Sequence, residues 1–170
     1  MADPDVATTP PKPIVTPHDP PTVVRAAVEA LALGDGSRLQ RIFADDVQFR
    51  SPHVAVRSLA ELRYAVCFPE PALDDLEVML SSVVMHGSNV AVEWLVEATL
   101  VSPVLFSDNL LIEPTNDRLR LRGSSFAEFS DGRIQALRCY FDDSEMFDRV
   151  RGVPDPLRFA ARWSGSSDDR

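Results

Sequence analysis

DRLRLRGSSFAEFSDGRIQALRCYFD, residues 117–142, decides the fold of this 170-residue chain. Leu119 and Leu121 alternate with Arg118, Arg120 and Arg122, the period-two pattern of a strand with one buried face. Gly123-Ser124-Ser125 interrupts the alternation as a bulge would, and Phe126 to Phe129 resumes it. Asp131-Gly132 is a strong hairpin signal, because Gly takes the positive φ that a two-residue turn needs. In the second strand, Ile134, Ala136, Arg138 and Tyr140 are expected on one face, and Gln135, Leu137, Cys139 and Phe141 on the other.

Working outward, two further strands are expected, Leu76 to His86 and Val90 to Leu100, joined at Gly87-Ser88-Asn89. The connection from Val101 to Thr115 carries Pro103 and Pro114 around an apolar run unusual for a loop. It reads as a lid over a pocket, as a partner surface, or as a strand extension packed on the domain. Phe68 to Asp75, with Pro69 and Pro71, reads as a loop.

The N-terminal half reads as helical. One helix starts near Thr22 with Val24, Ala27, Val28 and Leu31 at helical spacing, and Gly34 ends it. A short second helix covers Ser37 to Ala44, and a strand follows from Asp46 to Ser51, stopped by Pro52. A third helix, Ser58 to Cys67, opens on a capping-box pattern of Ser58 and Glu61. A short helix is expected from Asp143 to Arg151, ended by Gly152. The expected organisation is a Pro-rich tail over 1–21, one domain over 22–152 and a C-terminal tail over 153–170.

Composition narrows the function. A formal net charge of −9 argues against a nucleic-acid partner. Lys12 is the only lysine, so positive charge is almost all arginine. No apolar run is long enough to span a bilayer, and the first residues lack a signal-peptide pattern, so a cytoplasmic location and no membrane partner are expected. Cys67 and Cys139 make no disulfide framework and read as free thiols. His18, His53 and His86 are scattered without metal-ligand spacing, and neither a metal nor another cofactor is implied.

The last hairpin, together with FADDVQFRSP at Phe43 to Pro52, resembles the SnoaL-like proteins of the nuclear transport factor two-like superfamily. The resemblance runs from about Thr22 to Gly152. It implies an α+β, cystatin-like cone fold: a curved antiparallel or mixed sheet wrapped around about three N-terminal helices, enclosing an apolar pocket. It also implies a homodimer through the outer face of the sheet. Polyketide cyclases, ketosteroid isomerase and limonene epoxide hydrolase share this fold, so function has to be argued from the site.

Carried over residue by residue, the resemblance leaves the known chemistries without their groups. The isomerase's tyrosine falls at Ala27, its general-base aspartate at Ser51, and its second oxyanion donor near Ser125. The strand aspartate of the cyclases and the epoxide hydrolase falls at Cys139. Ala27, Ser51, Leu137, Cys139 and Phe141 are therefore expected to line a pocket. Glu97, Tyr64, Arg122 and Cys139 are the candidates for any remaining chemistry: Glu97 as an inward carboxylate, Tyr64 as a donor, Arg122 as an anion site. Glu93 and Glu97 lie about 13 Å apart along their strand, too far to share a proton. Trp94, on the face opposite Glu97, reads as core packing rather than ligand stacking. A protein that binds a small apolar molecule, or a partner, without chemistry is the preferred reading. A cofactor-independent isomerase, cyclase, dehydratase or epoxide hydrolase is the alternative.

Overall fold

The computed structural model describes residues 19–67, 70, 72–107, 110–114 and 118–142. The expected tail before residue 19, the expected helix at Asp143 to Arg151 and the C-terminal tail lie outside the described residues.

Helix α1, Pro20–Leu33, begins earlier than the apolar spacing predicts, with both prolines in its first turn. That turn has no intrahelical use for its N–H groups, so proline costs nothing there. At its other end Gly34 adopts φ 65, and Asp35 N–H reaches back to Ala30 O at 2.9 Å. Asp35 also opens α2, Gly36–Ile42, by accepting the N–H groups of Ser37 and Arg38, each at 3.0 Å. Helix α3, Leu59–Val66, is capped by Ser58, while Glu61 accepts the N–H of Arg57 at 2.9 Å.

Six strands form one mixed sheet in the order β2-β1-β8-β7-β4-β3. They are β1 Phe43–Arg50, β2 Ala55–Val56, β3 Leu73–His86, β4 Asn89–Leu100, β7 Arg118–Ser130 and β8 Arg133–Phe141. Strands β1 and β8 run parallel, and the other pairs are antiparallel. The helices pack on one face of this sheet, and Val24, Ala27, Leu39, Phe43, Leu62 and Leu137 are fully buried between them. This is the expected α+β cone architecture. The connection after β4 forms β5, Val104–Ser107, and β6, Leu110–Ile112, which pair in a two-stranded sheet of their own rather than extending β4.

The hairpin that decides the fold closes at Asp131-Gly132, with φ 49 and 75, between the paired residues Ser130 and Arg133. Two positive φ values in a two-residue loop match the twist of the flanking strands.

Two details of this hairpin differ from the sequence pattern. Gly123 to Ser125 is no bulge: pairing with both neighbours continues through it without a shift. Gly123 instead faces Trp94 across the strand pair. A Cβ there would overlap the indole ring and stand 2.7 Å from the Tyr140 carbonyl oxygen. The bulge sits in β8, where Gln135 is the extra residue between the pairs Phe129–Ile134 and Glu128–Ala136. It resets the alternation, so Ile134 turns into the core beside Leu137 and Cys139.

Candidate functional site

A cavity of about 350 Å³ opens at the end of the sheet where the chain leaves β4 and re-enters at β7. Helix α1 contributes Val28, Leu31 and Ala32, and α3 contributes Ala65 and Val66. Phe49 and Ser51 close the end of β1, with His53 and Val54 following. The sheet supplies Leu73, Trp94, Val96, Ala98, Leu119, Leu121, Cys139 and Phe141. The alternation of β4 explains its part: Val90 to Leu100 bury every even-numbered residue, which aims Trp94, Val96 and Ala98 inward.

The polar groups of the wall are few and tied together. Trp94 Nε1 donates to Ser125 Oγ at 2.8 Å, and Ser125 Oγ donates to Cys139 Sγ at 3.2 Å. Burial pushes the Cys139 thiol up to about 11, and the hydrogen bond from Ser125 only partly opposes this. Burial thus holds the thiol in its protonated form at neutral pH. Ser51 Oγ accepts the Val54 N–H at 3.1 Å, holding the turn that follows β1. His53, exposed at the rim, lies 6.1 Å from Phe141 between ring centroids, and Phe141 lies 6.1 Å from Trp94. The three rings form one wall. Among the described residues, no carboxylate, lysine or arginine lines the cavity, and no three His, Cys, Asp or Glu side chains gather as metal ligands.

Of the residues expected at a pocket, Ser51, Cys139 and Phe141 line the cavity, whereas Ala27 and Leu137 are packed in the core behind it. Three candidates stand elsewhere. Glu97 faces outward, on the odd-numbered side of β4, between Arg118 and Arg120 of the neighbouring strand. The hydrogen bond from Arg120 comes first in holding its carboxyl below the ordinary value; the Arg118 guanidinium helps, and partial burial opposes both. Tyr64 is 93% exposed on α3, because the inward stripe of Leu59, Leu62 and Val66 leaves it on the far side of the helix. Arg122 shares the outer face of β7 with Arg120 and pairs in register with Leu95, so it is remote from the cavity wall.

Two contributors were hidden in the sequence. His53 read as one of three scattered histidines, and only its place after the Pro52 turn hinted at the rim. Trp94 is both core and wall, buried at 4% exposure yet lining the cavity.

The sequence matches the SnoaL-like domain over residues 24–137. The chain belongs to the SnoaL-like family. No curated protein sequence matches it as a relative. Its fold is shared with a candidate SnoaL-like polyketide cyclase from Jannaschia sp. CCS1, at 15% identity and TM-score 0.59, over 79% of this chain and 94% of that one. An LEH-like epoxide hydrolase from M. tuberculosis is similar at 19% identity and TM-score 0.55, over 76% and 82%. A protein of ketosteroid isomerase-like fold from Catenulispora acidiphila, solved with trimethylamine, is similar at 13% and 0.58, over 79% and 95%. At these identities the likeness is one of fold.

Proposed function

We propose that this SnoaL-like domain binds a compact apolar small molecule in the cavity between α1, α3 and the sheet. The observation that carries the reading is the wall itself: about 350 Å³ of space bounded by aliphatic and aromatic side chains, with no carboxylate among the described residues. Pockets of this size bury most of a small ligand, and burial of apolar surface supplies the affinity. The test is calorimetric titration with indane, a rigid bicyclic hydrocarbon, alongside mass spectrometry of any molecule that co-purifies. Indane is expected to bind, and Ala32→Phe, which fills the cavity from α1, to weaken it at least about tenfold. Saturable binding left intact by Ala32→Phe would place the ligand elsewhere.

A second reading, a cofactor-independent isomerase, cyclase, dehydratase or epoxide hydrolase, draws on His53 at the rim, whose ring nitrogens can both donate and accept a proton. Turnover of an epoxide or enone that is lost in His53→Ala with unchanged folding favours it.

Two free cysteines suit a reducing compartment, and a cytoplasmic location is proposed on that ground; no helix among the described residues is long and apolar enough to cross a membrane. A homodimer is proposed through the outer face of the sheet, where Met79, Val84, Phe126 and Tyr140 are exposed together. The ion pairs Arg120–Glu97 and Arg138–Glu128 on that face carry both signs, which suits a surface meeting its own copy. Phe126→Arg should halve the mass measured by light scattering; an unchanged mass sinks the interface.

A further inference from the structure

We propose that the cavity takes a neutral ligand bearing a carbonyl or ether oxygen, and that the Cys139 thiol donates its hydrogen to that oxygen. This rests on the cavity reading above and specifies its ligand. The order of donors along the buried chain decides it. An indole N–H can only donate, so Trp94 gives its hydrogen to Ser125 Oγ. Ser125, fully buried and away from water, then directs its hydroxyl hydrogen at Cys139 Sγ. The sulfur is thus an acceptor on its β7 side, and its own hydrogen is left to point elsewhere. Among the described residues the thiol makes no other hydrogen bond. Cys139 lines the cavity, so the open side of the sulfur is the ligand's side. The raised thiol value, about 11, keeps that hydrogen in place at neutral pH.

The rest of the wall sets the ligand's charge and body. With no arginine or lysine among the described lining residues, a buried carboxylate would lack a counter-charge and would lose its hydration. A neutral oxygen loses much less, and one weak donor suffices for it. The rings of Trp94, Phe141 and His53 form a wall against which a ring-containing body packs.

The matched probes are indane and 1-indanone, which share a skeleton and differ by one carbonyl. Cys139→Ala should weaken 1-indanone by about 2- to 10-fold, the worth of one modest hydrogen bond, and indane by less than about twofold. Cys139→Ser, which keeps a donor, should restore the ketone. The carbonyl stretch of bound 1-indanone should lie lower in the wild type and the serine variant than in Cys139→Ala. Should alanine loosen the wall, Cys139→Val restores volume without a donor, and the same difference between probes is read. If both probes bind and every variant affects them equally, with an unmoved carbonyl stretch, the thiol is no donor and this inference falls alone. If neither probe binds the wild type, the cavity reading falls and takes this one with it.

Discussion

Cys139 shows how one side chain's surroundings decide its chemistry. Its thiol is held by a hydroxyl that is held in turn by an indole, and burial favours the uncharged form. The folded value of about 11 lies above the ordinary 9.0, so the folded chain holds a proton that the unfolded chain releases between those values. Stability from this group is therefore full below pH 9 and falls as pH rises toward 11, by about 1.4 kcal/mol per unit at most. Urea melts at pH 8 and pH 10 check this: the loss in the wild type should exceed that in Cys139→Ala. Iodoacetamide at pH 8 should alkylate Cys67, which is partly exposed, well before Cys139. Ser125→Ala leaves the Trp94 N–H buried without its acceptor, and should cost about 1–3 kcal/mol in the same melts. Gly123→Ala forces a Cβ into the Trp94 ring and should cost about as much, through overpacking of the cavity wall.

The elements were legible to different degrees, and the difference is physical. Caps and turns are written in a few neighbouring residues. Asp131-Gly132 reads as a two-residue turn and is one, and Ser58 caps α3 as its pattern with Glu61 predicts. Gly132→Ala, forced to φ 75, should therefore cost about 1–2 kcal/mol. Ser58→Ala should cost about 1 kcal/mol in thermal melts, and a silent substitution would mean that the cap is dispensable. Strand phase is less local. The alternation of β8 was plain, but the bulge at Gln135 comes from pairing with β7 and moves Ile134 to the core face. From sequence alone Gly123 reads as a bulge, because a glycine inside a strand has two explanations. The other one, close approach of a large partner, needs the opposite strand to be known.

In the whole molecule, the faces of sheet and helix sort the candidates. Glu97 and Arg120 belong to the outer face of the sheet, so Glu97→Gln should leave indane binding unchanged, whereas Ala32→Phe should weaken it at least about tenfold. Loss of indane affinity in Glu97→Gln would mean that the two faces are coupled. What the sequence alone determined was the run of helices and strands, the hairpins, the caps and the apolar inward stripes, since each rests on contacts within a few residues or on a period that local stereochemistry imposes; the α+β cone class came from the family resemblance. Only the tertiary structure decided which polar groups meet. Tyr64 sits two residues from Leu62, about 200° around the helix, and so faces solvent. Ser125 and Cys139 are neighbours because β7 and β8 pair in that register, and Trp94 reaches Ser125 over the space that Gly123 leaves. Such meetings join residues far apart in the chain, and strand register, which brings them together, is set by the packing of the whole core.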